Sequence, residues 1–400
     1  MTATRTALII GAGIAGPVAA MALAKAGIEA TVYEAHPDTA EGTGTFLTIA
    51  SNGIDALRAI DAAELALAAG FPTPSIFLRG PTGKPLGTTP TGLTLPDGTT
   101  SHTLKRADLY QALYEEAIRR GIVIKHGKRL TAARQAGEGV HAEFGDGSDA
   151  SADVLIGADG IHSATRALID PNAPAPSYTG LINLGGYARG VDTDAKPGSY
   201  TMIFGRRAFF GYVPALSGEA WWFANVPRAG EPAPSETEAI SPAQWKQTLA
   251  GLYAGDVGLA ARLVQATDPA DISRATPVHF VRHLPAWHNG RMIVIGDAAH
   301  APTPTSGQGA SLSIEDGVML AQCLRDLPDP GQAFTRFEAL RRPRAESIIR
   351  QAARINSSKV PGPVTRALLP AIMKMAANSK QATAPYRHHI DWDAPVSARS

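Results

Sequence analysis

The sequence predicts an α/β protein in which a discontinuous Rossmann-type domain carries an inserted mixed or antiparallel β-sheet domain and is followed by C-terminal helices. Apolar runs at 7–10, 154–156 and 291–295 each end in a glycine-containing loop and lead into a helical pattern, which is typical of strands in a buried parallel sheet. Between Pro171 and Pro285, aromatic and β-branched runs bounded by glycine and proline predict antiparallel strands. The sequence therefore predicts two different sheets in one chain.

The other elements follow from hydrophobic spacing and turn residues. Helical periodicity predicts helices over 52–67, 106–120 and 312–324, further helices to about residue 380, and an irregular tail over 381–400. Strands are predicted at 30–33, 122–125, 139–144, 201–204, 209–213 and 221–226.

The first glycine-rich segment has the spacing of a dinucleotide-binding βαβ unit. Gly11, Gly13 and Gly16 follow the first apolar run, and Glu34 closes the next one. The glycines permit a tight turn, a close approach to a pyrophosphate and close helix packing, and the helix N-terminus faces the phosphate charge. A carboxylate at Glu34 suits ribose hydroxyls and repels a 2′-phosphate, which argues against NADP in this unit. The pattern alone does not separate FAD from NAD.

Composition and charge narrow the function classes. A formal net charge of +1 over 400 residues gives no electrostatic footprint for nucleic acid. The single cysteine, Cys323, is predicted to be buried on a helix. The sequence contains no His/Cys cluster and therefore does not indicate a metal site. We expect a cytoplasmic monomer or homodimer without a membrane partner.

Two further motifs lie just beyond apolar strands. Asp159-Gly160 ends one strand, and Gly296-Asp297 ends another before the glycine turn Gly307 to Gly309 opens a helix. With the glycine motif, they stand in an order that resembles the group A flavoprotein monooxygenases, the p-hydroxybenzoate hydroxylase-like enzymes. The resemblance spans about residues 4–325.

The resemblance implies FAD as the cofactor and assigns roles to residues of this chain. Arg106 matches the arginine that approaches the phosphate and ribityl region, Asp297 would bind a ribityl hydroxyl, and Pro304 would lie beside the reactive edge of the flavin. Backbone groups at the start of the helix from Gly309 would meet the flavin pyrimidine edge. The full cofactor set is Gly11, Gly13, Ala15, Gly16, Glu34, Gly44, Thr45, Arg106, Asp159, Gly160, Gly296, Asp297, Pro304, Gly307, Gly309, Ala310 and Ser311.

The resemblance also implies a division into domains. Residues 1–72, 101–170 and 275–330 would form the FAD-binding domain, and 73–100 with 171–274 the substrate-binding β-sheet domain. Residues 331–380 would form the C-terminal helices.

Two positions depart from the family pattern. The chain has Ala35 after Glu34 and no arginine between Glu34 and Arg58, so some phosphate contacts of the family would be weaker or supplied by other residues. Ser311 stands where the family has asparagine, so the sequence does not show which side chain makes the asparagine's contact at the flavin edge.

The implied activity is oxygenation. NADH or NADPH would reduce the flavin, dioxygen would form a C4a-hydroperoxide, and one oxygen would pass to a small aromatic or heteroaromatic substrate. Baeyer-Villiger insertion remains an alternative, as do a flavin-dependent reductase and a non-catalytic FAD- or NAD-binding module. The tryptophan pattern of flavin-dependent halogenases is absent.

The chemistry needs few reactive side chains, and the candidates reflect this. Phe210, Tyr212 and Trp222 are predicted to line the substrate pocket, with a role as core aromatic residues as the alternative. Asp159, Gly160 and Arg166 would act structurally and in docking the nicotinamide nucleotide. For His300 a structural role is favoured over that of a general base. Arg206 and Arg207 are interpreted as solvated turn residues.

Overall fold

The computed structural model describes residues 3–37, 45–193, 195–356 and 383–397. The predicted contact at Gly44 and the helices predicted over 357–380 therefore lie outside the described residues. The strands are β1 (Thr6–Ile10), β2 (Glu29–Tyr33), β3 (Phe46–Ile49), β4 (Gly70–Pro72), β5 (Ser75–Arg79), β6 (Pro85–Pro90), β7 (His102–Lys105), β8 (Val123–Lys125), β9 (Leu130–Ala136), β10 (Gly139–Phe144), β11 (Asp149–Ala152), β12 (Val154–Gly157), β13 (Ser177–Ala188), β14 (Tyr200–Phe204), β15 (Phe209–Pro214), β16 (Ala220–Pro227), β17 (Thr267–Ile272), β18 (Thr276–Phe280), β19 (His288–Asn289) and β20 (Met292–Val294). The α-helices are α1 (Ala15–Lys25), α2 (Ser51–Arg58), α3 (Ala63–Ala69), α4 (Arg106–Arg119), α5 (Ala164–Ile169), α6 (Pro234–Glu238), α7 (Pro242–Tyr253), α8 (Ala260–Ala266), α9 (Asp297–His300), α10 (Gly309–Asp326) and α11 (Pro330–Asn356).

The first sheet is the predicted Rossmann-type sheet. Its strand order is β19-β20-β12-β1-β2-β8, and β20, β12, β1, β2 and β8 run parallel. Its central strands are apolar on both faces because helices cover both: Ile9 and Ile156 have no exposed surface. Parallel strands place their carboxyl ends at one edge, so the loops after β1, β2, β12 and β20 meet there.

The second sheet is the predicted inserted sheet, and it is mixed. Strands β17-β13-β16-β15-β14-β5-β6 lie in that order, with β18 also paired to β13, and only β14 and β5 pair in parallel. Strand β18 begins after the expected domain boundary at residue 274. It nevertheless pairs antiparallel with β13 and so is part of the second sheet. Two smaller sheets, β11-β10-β9 and β3-β7-β4, complete the described strands.

The sequence prediction missed several elements. The helix predicted over 52–67 is two helices, α2 and α3, because the chain turns at Asp61, whose φ is +57°. Helices α6, α7 and α8 lie inside the region predicted as strands, and the long strand β13 was not predicted. The apolar residues of α7 and α8 pack against one face of the second sheet.

The C-terminal part of the chain packs on the first domain. Helix α10 crosses α1 closely, since a Cβ on Gly317 would lie 2.9 Å from the backbone nitrogen of Ala19. Cys323 of α10 is fully buried, as predicted, and burial raises the pKa of its thiol to about 12. Residues 391–396 lie against this helix, where Gln322 donates to the carbonyl of Asp391 at 2.6 Å and Asp326 accepts from the Val396 N–H at 2.7 Å. No helix in the described part of the chain is long and apolar enough to cross a membrane.

Candidate cofactor and substrate site

The strand-end loops of the first sheet are joined by backbone hydrogen bonds. The Gly11 N–H donates to the Tyr33 carbonyl at 2.8 Å, and the Ala158 N–H donates to the Ile10 carbonyl at 2.8 Å. The Ile295 N–H donates to the Gly157 carbonyl at 2.9 Å. The three motifs that are distant in sequence therefore share one edge of the sheet.

The three glycines of the first motif meet different constraints. Gly11 has φ +102°, and a Cβ there would lie 2.5 Å from the Ala158 carbonyl oxygen. A Cβ on Gly16 would lie 1.9 Å from the Gly11 carbonyl oxygen. A Cβ on Gly13 would meet nothing within 4 Å. Gly11 and Gly16 are thus required by the chain itself, whereas Gly13 leaves open space beside the loop.

Glu34 lies at this loop. Its carboxylate accepts hydrogen bonds from the Ala12 N–H at 2.7 Å and from the His36 N–H at 2.9 Å. Glu34 is therefore held beside the glycine turn. This is where the ribose of a dinucleotide would lie if its pyrophosphate were bound at that turn.

The loop after β12 is tied internally and to the loop after β20. The Asp159 carboxylate accepts from the Ser163 hydroxyl at 2.5 Å and from the Thr165 N–H at 2.9 Å, at the start of α5. Arg166 is 5% exposed and donates to the carbonyls of Ala298 at 3.0 Å and Ile161 at 2.7 Å. Arg166 therefore joins the two aspartate loops from inside the protein.

The loop after β20 is shaped by α10. Gly296 has φ +58°, a Cβ there would lie 2.7 Å from the Ser313 hydroxyl, and its N–H donates to Asp316 at 2.8 Å. Asp297 follows at the start of α9. Burial raises the pKa of the Asp297 carboxyl, and the positive charge of Arg106 opposes this rise. Arg106 and Asp297, both predicted to contact the cofactor, therefore lie within electrostatic reach of each other.

A buried charge network lies behind this loop. The His300 Nε2 is 2.5 Å from the Asp316 carboxylate, and Arg341 of α11 pairs with both Asp316 and Glu315 at 2.7 Å. Arg344 adds a second partner for Glu315 at 2.7 Å. Sequence reasoning did not identify this network, because its members come from three helices. The adjacent acids within an apolar helix were the available signal, since buried carboxylates require cationic partners.

The N-terminus of α10 is packed against α2. The Ser311 hydroxyl accepts from the Ala50 N–H at 3.1 Å and has no exposed surface. A Cβ on Gly53 would lie 2.6 Å from that hydroxyl. The Ser311 side chain is thus occupied by the backbone at Ala50. The backbone groups of Gly309, Ala310 and Ser311 are left for a ligand.

Unsatisfied polar atoms cluster in the same region. Among the described residues, Gln308 Nε2, Thr303 Oγ1 and Asn52 Oδ1 are buried without a hydrogen-bond partner. They lie around the segment in which Pro304 begins a short 3-10 turn and Gly307 takes φ +59°. Buried donors and acceptors of this kind require partners. Together with the open space at Gly13, they fit a polar ring system and a dinucleotide.

The aromatic residues predicted to line a pocket lie elsewhere. Phe210 stacks on Trp222 with 5.5 Å between ring centroids and meets Tyr253 of α7 at 5.1 Å. The Trp222 indole donates to the Thr267 hydroxyl at 2.8 Å. Tyr212 belongs to the same cluster. These side chains fill the core between the second sheet and its helices, which matches the alternative of core residues and corrects the predicted pocket wall.

The opposite side of the second sheet carries a different set of aromatic side chains, which we call the aromatic face. It turns toward β3, since Phe46 lies 5.9 Å from Trp221 and 6.2 Å from both Tyr200 and Phe223 between ring centroids. Side chains alternate along β16, so Trp221 and Phe223 lie on this side of the sheet and Trp222 lies on the other. The aromatic face consists of Tyr187, Tyr200, Met202, Trp221 and Phe223 of the sheet with Phe46 and Phe71 opposite.

Thr45 joins the aromatic face to the cofactor edge. Its carbonyl accepts from the Tyr187 hydroxyl at 2.9 Å and from the Arg106 N–H at 3.1 Å. Gly185 permits this approach, because a Cβ there would lie 2.9 Å from the Thr45 hydroxyl. The structure therefore brings Thr45, Arg106 and the aromatic face together.

A parallel sheet with three motif loops at one edge defines a dinucleotide-binding α/β protein. The family model described as "FAD binding domain" matches residues 4–352. The chain belongs to this FAD-binding family and is a FAD-dependent monooxygenase of the group A type.

Similar proteins cover nearly the whole chain. An aurachin C monooxygenase/isomerase of Stigmatella aurantiaca is 30% identical over 88% of this chain and 88% of its own length. A 3-amino-4-hydroxybenzoate 2-monooxygenase of Streptomyces platensis is 32% identical over 86% of each chain. The crystal structure of Klebsiella pneumoniae HpxO complexed with FAD and uric acid is 25% identical and covers 95% of this chain and 97% of its own, with a TM-score of 0.83.

Proposed function

We propose that this protein uses NADH or NADPH and dioxygen to hydroxylate a small aromatic or heteroaromatic substrate held between the aromatic face and FAD. The observation that carries the proposal is the junction at Thr45, which joins the aromatic face to Arg106. The relatives named for 3-amino-4-hydroxybenzoate and for urate support an aromatic substrate of this size.

The first sheet would hold the cofactor along its carboxyl edge. Gly11, Gly13 and Gly16 with Glu34 would take the ADP half, with the pyrophosphate in the open space beside Gly13. Asp297 and Arg106 would take the ribityl and phosphate region. When bound, FAD supplies the reaction of reduced flavin with dioxygen.

The protein itself would supply orientation and electrostatics. The N-terminus of α10 presents unpaired backbone N–H groups and the positive end of a helix of 18 residues, which favours negative charge at the flavin edge. Gln308 and Thr303 supply a donor and a hydroxyl that have no partner in the described residues. The aromatic face would exclude water from the substrate, which would limit the wasteful release of hydrogen peroxide.

The loop of Asp159 would act on the nicotinamide nucleotide through its shape. The carboxylate is committed to Ser163 and Thr165, and Arg166 is committed to two carbonyls. Direct contact of these side chains with the nucleotide would break those bonds. We therefore assign them the structural part of the role that the resemblance implies.

The test is oxygen labelling of the product. The purified holoenzyme is incubated with NADH or NADPH, ¹⁸O₂ and phenol or 2-naphthol as neutral aromatic substrates, and products are analysed by mass spectrometry. We expect one labelled oxygen in a product whose formation depends on the nicotinamide nucleotide. NAD(P)H-dependent conversion without label from ¹⁸O₂ would reject the oxygenase assignment and favour a reductase.

A further inference from the structure

The aromatic face contains very few polar atoms, and most are committed. The Tyr187 hydroxyl donates to the Thr45 carbonyl at 2.9 Å, and the Trp221 indole N–H donates to Glu219 at 3.2 Å. Next to the face, Asn225 donates to the side chain of Asn183 at 2.9 Å. These groups are therefore occupied by protein partners.

The Tyr200 hydroxyl differs from these groups. Tyr200 is 7% exposed, lies 6.2 Å from Phe46 and 6.5 Å from Phe223 between ring centroids, and its hydroxyl has no hydrogen-bond partner among the described residues. The hydroxyl oxygen is not one of the fully buried polar atoms that lack a partner, so it borders accessible space where water can reach it. A ligand that covers it must supply the hydrogen bond that water otherwise makes, since a covered hydroxyl without a partner costs about 1–3 kcal/mol. Burial raises the pKa of Tyr200, so the hydroxyl stays protonated and can donate.

The charged groups at the rim of the aromatic face neutralise one another. Lys105 lies 4.8 Å from the ring centre of Tyr187 and 3.9 Å from Glu219. Arg189 pairs with Glu219 at 2.9 Å and also with Asp271. A carboxylate substrate buried against this face would find no unpaired cation among these rim groups, and burying an unpaired charge is strongly unfavourable.

We infer that the site takes a neutral aromatic substrate whose hydroxyl or carbonyl group hydrogen-bonds to the Tyr200 hydroxyl. The inference rests on the proposed function, because it places the substrate on the aromatic face. It adds Tyr200 as a specificity-determining residue and excludes simple aromatic carboxylates as good ligands. The flat rings of Phe46, Trp221 and Phe223 hold the substrate ring, and Tyr200 fixes its rotation in the pocket.

The experiment measures binding without turnover. FAD-loaded protein is titrated with 2-naphthol and phenol as neutral probes and with 2-naphthoate and benzoate as their carboxylate counterparts, and the flavin difference spectrum is recorded. We expect each neutral probe to bind at least about tenfold more tightly than its carboxylate counterpart, because an unpaired carboxylate must be desolvated. Tyr200→Phe weakens binding of the neutral probes about three- to tenfold, the range of one hydrogen bond.

Tyr212→Phe is the matched control. It removes the same hydroxyl from the neighbouring strand, on the side packed against the helices, and leaves probe binding unchanged. FAD content and melting temperature of both variants report on folding.

Three outcomes overturn the inference: carboxylates that bind as tightly as the neutral probes, equal effects of the two tyrosine variants, or no spectral change with either neutral probe up to its solubility limit. Selective binding of neutral probes by a protein that fails the ¹⁸O₂ test would instead reject only the proposed function.

Discussion

Arg341 Nε lies 2.7 Å from the Asp316 carboxylate, although the two residues are 25 positions apart in sequence, and neither side chain has exposed surface. Asp316 also accepts the Gly296 N–H, so the long helix α11 is linked through one carboxylate to the loop that presents Asp297. A second ion pair, between Arg341 Nη2 and the Glu315 carboxylate, ties both acids of α10 to the same guanidinium.

Replacement of that guanidinium is expected to be severe. Arg341→Met removes the cation that pairs with both buried carboxylates and leaves Asp316 with His300 and Glu315 with Arg344, so we expect a loss of about 3–5 kcal/mol in the free energy of unfolding. Urea denaturation of the holoenzyme measures it. Arg350→Met is the control on the same helix, because its partner Glu346 is 3.5 Å away at an exposed site and such pairs contribute about 0.5 kcal/mol. Equal losses in the two variants would contradict the role of the network.

His388 also belongs to the network, since its Nε2 lies 3.9 Å from the Glu315 carboxylate and 3.1 Å from Arg341 Nη1. The network therefore predicts a stability that falls in acid in two stages. Burial lowers the pKa of His388 from 6.5 to about 4, so between these values the unfolded chain binds a proton that the folded protein does not. Although burial acts to raise the pKa of Glu315, the charges of Arg341 and Arg344 prevail and lower it from 4.5 to about 2. Stability is therefore complete above pH 6.5, declines toward pH 4, and declines further between pH 4.5 and 2.

The pH profile of the melting temperature tests both stages. His388→Phe should flatten the decline between pH 6.5 and 4 and leave the lower stage in place. A wild-type melting temperature that is constant from pH 7 to 4 would show that His388 does not titrate as the structure requires.

The glycine motif predicts a contrast between two alanine variants. Gly13→Ala places its Cβ in open space, so we expect normal stability in the absence of FAD and a loss of FAD affinity of at least about tenfold, because the methyl group occupies space reserved for the pyrophosphate. Gly16→Ala drives its Cβ into the Gly11 carbonyl and should lower stability itself. Thermal unfolding and fluorescence titration with FAD separate the two effects. Unchanged FAD affinity in Gly13→Ala would place the pyrophosphate elsewhere.

The ribityl assignment predicts a loss of affinity on removal of one carboxylate. Asp297→Ala removes a charged acceptor, and we expect FAD binding to weaken by roughly 1.5–3 kcal/mol. Asp297→Asn, which keeps an acceptor without the charge, should fall between wild type and alanine. Asp149→Ala, an exposed acid of β11, serves as the control. Full FAD retention by Asp297→Ala on gel filtration would defeat the assignment.

The parts of the fold that could be predicted from sequence are those with strong local signals. The run before Gly11 and the stripe of α4 have the periodicity of one element and few alternatives, and both elements are present. The break at Asp61 could not be predicted, because a non-glycine residue with positive φ carries no clear sequence signal. Helix α7 was missed because Trp245, together with Trp221 and Trp222, gave the whole region an aromatic character that favours strands.

The candidate site likewise contains residues that could be placed from the sequence and residues that could not. The residues that follow strand ends, such as Glu34 and Asp297, could be placed because strand direction alone fixes their edge. The aromatic face could not, since the choice between Phe210 and Phe223 depends on which side of the sheet the helices cover. That choice is made by α7 and α8, the elements that the sequence prediction missed.

The measurement that tests the central claim most directly is the visible spectrum of the purified protein, recorded anaerobically before and after NADH and NADPH and then in air. We predict a flavin spectrum that bleaches with at least one of the two nucleotides and returns with oxygen, with the formation of hydrogen peroxide when substrate is absent. A protein that holds no flavin after reconstitution with FAD, or a bound flavin that neither nucleotide reduces in the presence of the neutral probes, would contradict the account.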